Sequence, residues 1–292
     1  MPRAGIVTVV GKPNVGKSTL LNRIVGQKLS ITSAKPQSTR DRIVGIRTTD
    51  DSQMVILDTP GLLNPRYPLQ EAMKTTALRA LEDADVIIYL SDATEGEPAP
   101  LPDAAGLSAA PRAPVVIALN KADALSTESR ARLLERDGVA LISALTGDGV
   151  EELMERIASQ LPKSPFLYPE DEISTQPVRF FVAELVRETV LEQLHDEVPY
   201  SVAVQVEEFR EDRSPLYIRA VIYVERESQK AIIIGAKGAQ IRRLGENARK
   251  KIEAFVGARV YLDLWVKVLP NWRRNPGSLS RFGYQLATGK VK

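Results

Sequence analysis

Eight consecutive residues, Gly11-Lys12-Pro13-Asn14-Val15-Gly16-Lys17-Ser18, have the types and spacing of a polyphosphate cradle. Glycines let the backbone curl so that successive N–H groups point inward, and a helix beginning at the end of the loop adds the positive end of its dipole. Lys17 is then placed to reach β- and γ-phosphates, and the Ser18 hydroxyl to ligate magnesium. Thr19 follows at the start of the helix. Downstream, Asp58-Thr59-Pro60-Gly61 closes an apolar run. An aspartate there holds magnesium through water, and a glycine lets its N–H come close to a γ-phosphate, although alone the tetrapeptide also reads as a turn.

Asn120-Lys121-Ala122-Asp123 decides the base. A carboxylate accepts at once from the ring N1–H and the exocyclic amine of guanine, a donor pair that adenine does not offer on that edge. Asp123 fits this role. Asn120 is expected to tie the base loop to the phosphate loop, and the Lys121 stem to cover the ring. In Ser143-Ala144-Leu145, the Ala144 N–H is expected to donate to the guanine O6. The four motifs in order select GTP and GDP, with Mg2+, as ligands.

These residues need a sheet that presents them together. Residues 6–10, 53–57, 86–90 and 115–119 are apolar runs, each ending at one of the motifs or at Asp92, with helical periodicity in between. That is the alternation of a doubly wound α/β domain with a mostly parallel sheet. Prolines 98, 100 and 102 restrict the crossover after residue 96 to a short helix. Residues 33–42 are polar, contain a proline and lack an apolar period, which predicts an exposed loop.

With 292 residues, two domains are expected. Absence of cysteine excludes disulfides, thiolate metal sites and thiol catalysis. Residues 1–5 run into a strand without an apolar leader, and no stretch has the length of a membrane span, so a cytoplasmic location is expected. The net charge of +2 hides segregation. Lys230, Lys237, Arg242, Arg243, Arg249, Lys250 and Lys251 face only Glu246, and Arg273, Arg274, Arg281, Lys290 and Lys292 occur without an acid. A nucleic-acid surface follows.

Domain boundaries are expected at residues 1–163 for the nucleotide domain, 164–178 for a proline-rich acidic linker, 179–270 for a second domain and 271–292 for a basic tail. The second domain reads helix, strand, strand, helix, Gly235-Ala236-Lys237-Gly238, helix, strand, the order of a type II KH fold of α+β class. The glycines bring the backbone against a phosphodiester strand, with Lys237, Arg242 and Arg249 supplying charge. His195 sits at a helix end as a cap, and Trp265 is expected in the core. Trp272, Phe282 and Tyr284 either stack on bases or dock onto the KH helix.

Taken together, the four nucleotide motifs, the Gly235–Gly238 loop, Asn271-Trp272-Arg273 and Phe282-Gly283-Tyr284 resemble the bacterial Era GTPase family over nearly the whole chain. The resemblance implies binding of the 3′ end of 16S ribosomal RNA, maturation of the small ribosomal subunit, and peripheral contact with the inner membrane; a monomer is expected. It also makes Gln37-Ser38-Thr39-Arg40 a switch loop, with Thr39 joining Ser18 and Asp58 at magnesium. Leu62 follows Asp-x-x-Gly where Ras-like enzymes carry a water-orienting glutamine. Asn14 is similar to the phosphate-loop asparagine of potassium-activated GTPases, which implies K+ as a further cofactor. Lys17, Thr39, Gly61 and Asn14 form the expected catalytic set. Two activities remain open: a GTP-hydrolysing switch that controls RNA binding, and a non-catalytic, nucleotide-gated RNA-binding assembly factor.

Overall fold

A computed structural model describes residues 1–33, 35–136 and 138–286; Lys290 and Lys292 of the basic tail lie outside the described residues. The chain divides into two compact units. The first comprises Met1–Ser30, Thr39–Pro65 and Met73–Thr175, and the second Ile31–Ser38, Arg66–Ala72 and the chain from Gln176 onward.

In the first unit, β1 (Arg3–Val10), β2 (Ile43–Thr48), β3 (Ser52–Asp58), β4 (Val86–Asp92), β5 (Val115–Asn120) and β6 (Val139–Leu141) form one sheet in the order β2-β3-β1-β4-β5-β6. Only the β2–β3 pair is antiparallel. Every position of β3 and β4 is buried, as expected of strands covered on both faces. The helices are α1 (Lys17–Val25), α2 (Pro68–Glu82, of which the part from Met73 onward belongs to this unit), α3 (Leu101–Ala105), α4 (Thr127–Leu134) and α5 (Val150–Gln160). The brevity of α3 follows from Pro98, Pro100 and Pro102, which leave room for little more than one turn. Because the strands are parallel, the ends of β1, β3, β4, β5 and β6 share one edge of the sheet, and the loops that leave them carry all four nucleotide motifs.

Most of the expected linker belongs to this unit. The N–H groups of Leu167 and Tyr168 donate to the Gln53 side chain at 2.7 and 2.9 Å. Further along, the Ile46 N–H donates to the Ile173 carbonyl at 2.9 Å, and the Ser174 hydroxyl to the Val44 carbonyl at 2.5 Å. β2 is an edge strand, and its unpaired backbone groups capture the extended proline-rich chain.

The second unit contains α6 (Val178–Gln193), α7 (Val198–Ser201), β7 (Ala203–Arg210), β8 (Leu216–Val224), α8 (Glu227–Ile234), α9 (Ala239–Val256), β9 (Val260–Val268) and α10 (Pro276–Arg281). Its sheet runs β7-β8-β9, with β8 antiparallel to β7 and parallel to β9. Alternation in β8 sends Ile218, Ala220 and Ile222 into a core with Val186, Leu244 and Ile252 from α6 and α9. Residues 31–38 also belong here. The Lys35 ammonium caps the carbonyls of Leu191 and Leu194 at the end of α6, Arg187 donates to the Ser38 carbonyl, and the Thr32 N–H donates to Glu188. The predicted exposed loop over 33–42 is therefore anchored, and Thr39 and Arg40 are buried.

Two aromatic expectations change. Trp265 is 52% exposed rather than in the core, because it lies on the β9 face opposite Val266. Trp272 is fully buried, donates its indole N–H to the Ser201 carbonyl at 2.7 Å, and packs edge-on against Phe282 and in a stack with Tyr284. It docks, but beside α7 rather than on α9, and it stacks on no base. His195 is exposed and lies past the last residues of α6, whose C-cap is Leu194. Trp272→Ala is expected to cost about 3–5 kcal/mol, read as a lowered urea midpoint, whereas Trp265→Ala leaves the midpoint nearly unchanged.

Candidate functional site

Asn120 organises the phosphate and base loops. Its side-chain amide donates to the Val15 carbonyl at 2.7 Å, and its oxygen accepts from the Ala144 N–H at 2.8 Å. Gly16 makes this approach possible. Its φ is +100°, and a Cβ there would lie 2.1 Å from the Asn120 amide nitrogen. The Ala144 N–H, expected on the guanine O6, is thus engaged within the protein. Ser143 is buried and donates to Asp123 at 2.5 Å, which orients a carboxylate otherwise exposed. Lys121 adopts a left-handed φ of 68° and its ammonium meets Asp92 at 2.5 Å. Burial raises the Asp92 pKa, but hydrogen bonds from Lys121 and Thr94 more than offset this and hold it below the usual carboxylate range. Asp92 carried no motif signal; its position at the end of β4, level with Asn120, was the available clue.

A second cluster lies beneath the phosphate loop. Asp58 Oδ2 accepts from Ser18 at 2.7 Å, Ser30 at 2.7 Å and Thr39 at 3.5 Å, while Ser18 and Thr39 lie 2.8 Å apart. The structure brings the three expected magnesium residues together and adds Ser30, which belongs to no motif. Asp58 Oδ1 is buried without a hydrogen-bond partner among the described residues. One carboxylate and two hydroxyls are a hard, all-oxygen donor set that suits Mg2+ when phosphates and water complete its shell. Burial raises the Asp58 pKa, opposed by Lys17 and the three hydroxyls. Lys17 is buried in α1, and its ammonium donates to the carbonyls of Gly11 and Lys12 at 3.2 and 2.8 Å. Burial lowers its pKa to about 8, against the opposing pull of Asp58.

Other motif residues have structural duties. Thr59 donates to the Val9 carbonyl at 2.8 Å, so its hydroxyl faces β1 rather than a nucleotide. Leu62 packs among Val10, Leu81 and Tyr89, and its N–H donates to the Gly11 carbonyl at 2.9 Å; its side chain does not line the site. Gly61 is pressed against the phosphate loop, since a Cβ would fall 2.8 Å from the Pro13 nitrogen. Val15 and Pro60 are buried, Thr19 is half-buried, Leu145 is exposed, and the Lys12 ammonium pairs with Glu95 at 3.2 Å. Asn14 is exposed, with φ 64°.

In the second unit, Gly235, Ala236, Lys237 and Gly238 link α8 to α9. Beside them an open groove of about 640 Å³ runs between α9 and β9, lined by Gly238, Ile241, Arg242, Arg249, Tyr261 and Leu264 among others. Arg242 is exposed, and Arg249 is paired with Glu253 at 3.1 Å. An apolar floor with cations at its rim suits a single nucleic-acid strand: bases lie against the floor and phosphates meet the rim.

Residues 6–121 match the family model described as 50S ribosome-binding GTPase, and residues 197–273 match that of the KH domain. The GTPase Era of Carboxydothermus hydrogenoformans is 43% identical over 291 residues, covering 97% of this chain and 98% of its own. The chain belongs to the GTPase Era family. It is accordingly a GTPase, built as a P-loop α/β domain followed by a type II KH domain. Among solved structures, Aquifex aeolicus Era bound to GDP and AlF4⁻ aligns with a TM-score of 0.90 at 40% identity, over 97% of this chain and all of the other. An Era complex with MgGDPNP and nucleotides 1506–1542 of 16S ribosomal RNA aligns equally, at TM-score 0.90 and 40% identity, over 98% of this chain and all of the other.

Gly16→Ala is expected to displace Asn120 and abolish GDP binding in calorimetry while the far-ultraviolet circular dichroism stays unchanged. Lys17 carries its charge below about 8 and loses it above, so GDP affinity falls as pH rises through that value. Lys17→Met weakens binding by roughly tenfold or more, the loss of a charge-assisted hydrogen bond, and flattens the pH dependence.

Proposed function

We propose that this Era-family GTPase is a GTP-controlled RNA-binding switch that engages the 3′ end of 16S ribosomal RNA during maturation of the small ribosomal subunit. The observation that carries the nucleotide half is the convergence of Ser18, Thr39 and Asp58 beside the buried Lys17. In this reading Ser18 and Thr39 ligate Mg2+ directly and Asp58 holds it through water. Held there, Mg2+ would supply positive charge against the phosphates of GTP during its hydrolysis. Lys17 reaches the same oxygens, and the Gly61 N–H meets the γ-phosphate. The Asp123 carboxylate reads the guanine edge under the Lys121 stem.

Leu62 is packed in the core, so no side chain at that position orients water. Asn14, exposed on the phosphate loop, would hold K+ through its amide oxygen, and the ion would supply the charge that an arginine finger gives elsewhere. Hydrolysis is expected to be faster in K+ than in Na+, with Asn14→Ala erasing the difference in multiple-turnover phosphate release. Equal rates in both salts would remove K+ from the mechanism.

The RNA half rests on the Gly235–Gly238 loop, the adjacent groove, and the Era complex that contains nucleotides 1506–1542 of 16S ribosomal RNA. The family model for residues 6–121 names the large subunit instead. That model covers the nucleotide domain alone, whereas the Era complex aligns over the KH domain too, so the small subunit is the better-supported target. The test is RNA affinity in two nucleotide states. Protein loaded with a non-hydrolysable GTP analogue is expected to bind the 1506–1542 fragment about tenfold or more tighter than protein loaded with GDP, and the RNA to tighten GTP binding by the same factor. Gly238→Asp places a carboxylate beside the groove; RNA binding should fall while GDP binding stays intact. Loss of both would contradict two separate sites.

A further inference from the structure

The outer face of the β7–β8–β9 sheet, opposite the face covered by α6 and α9, carries a cluster that nucleotide binding and the groove leave without a role. β9 is an edge strand, paired only with β8. Along it Tyr261 and Trp265 project outward, 60% and 52% exposed. The β8 residues opposite Tyr261 and Asp263 are Tyr217 and Arg219. The rings of Tyr217 and Tyr261 stack at 5.9 Å and 13°. The guanidiniums of Arg210, Arg219 and Arg213 stand 5.3, 5.7 and 6.0 Å from the Tyr217 ring.

Asp263 fixes this arrangement. Its carboxylate accepts from the Tyr217 hydroxyl at 2.8 Å and from Arg219 at 3.1 Å. Tyr217, and the Tyr261 ring stacked on it, are therefore held in place before anything binds. Two large exposed rings four residues apart on one strand face, about 13 Å along β9, offer a surface to a partner. Tyr261 indicates which partner, because it also lines the α9–β9 groove. A strand leaving the groove over β9 meets Tyr261 first and reaches Trp265 on the same face.

We propose that the outer face of this sheet, through Tyr261 and Trp265, is a stacking platform for the single-stranded RNA that continues out of the α9–β9 groove. The proposal rests on the reading of that groove as the RNA site. Bases stack on aromatic faces with little sequence preference, at about 1–3 kcal/mol for each base. Glu208 and Asp263 pair with Arg210 and Arg219 of the face. Stacking rather than phosphate attraction therefore supplies its affinity, and the contribution depends little on salt.

The experiment uses the full chain and single strands from the 16S 3′ region. One has groove length, about five nucleotides, and others are extended to about twelve at either end. One of the extended strands is expected to bind about 5- to 150-fold tighter than the short one, the equivalent of one stacked base, and the advantage to persist in higher salt. Trp265→Ala removes the advantage without changing the affinity of the short strand, and Trp265→Phe keeps most of it. Trp272, the other of the two tryptophans, is buried. Fluorescence quenching by the extended strand alone therefore reports contact at Trp265. The platform is overturned if extended strands bind no tighter, if Trp265→Ala weakens short and extended strands alike, or if no quenching occurs, as when the face docks a protein. Binding of the short strand without a length advantage leaves the groove reading standing, whereas binding of neither strand overturns both.

Discussion

Burying Lys17 and Asp58 in one small volume is the constraint on which the nucleotide site depends. Each charge alone is costly to desolvate, and the consequences run in opposite senses, with the lysine pKa lowered and the carboxylate pKa raised. Hydroxyls of Ser18, Ser30 and Thr39 offset part of the cost on one carboxylate oxygen. The other oxygen stays buried and without a partner among the described residues. A site that holds this much uncompensated electrostatic demand is preorganised for a polyanion with its metal, because the ligand supplies what the protein leaves unmet.

The same constraint explains why the surrounding loops are stapled rather than loose. Gly61 lies against Pro13, the Leu62 N–H binds the Gly11 carbonyl, and Asn120 joins Val15 to Ala144. Each staple uses a backbone group or a short side chain, so a shift at one strand end is transmitted to the next. Residues 31–38 are anchored differently, through Lys35, Arg187 and Glu188 within the second unit. Ser38, held by Arg187, directly precedes Thr39, whose hydroxyl lies at the Asp58 cluster.

The second unit divides its sheet between two tasks. One face closes the core with α6 and α9, and burial there is nearly complete. The other leaves Tyr261 and Trp265 exposed on an edge strand that also walls the groove, with Asp263 holding the Tyr217 hydroxyl beside them. Trp272 shows the contrast: chemically identical to Trp265, it is buried and satisfied by the Ser201 carbonyl. Its role is to fasten the C-terminal segment.

The amino-acid sequence by itself determined the sheet-ending motifs, the guanine preference, and the order of the KH elements. Those features depend on local spacing: a glycine loop before a helix, a carboxylate after a buried strand, two glycines between helices. Tertiary structure alone decided which motif side chains face the site. Thr59 and Leu62 sit within a nucleotide motif or next to it, yet they serve β1 and the core, while Ser30 and Asp92 contribute from outside any motif. Their roles depend on which strands become neighbours, and periodicity carries no information about neighbours across a crossover. The same reason applies to Trp265. Its alternation marks a face of β9, but only the packing of α6 and α9 decides which face is covered and which is left to solvent.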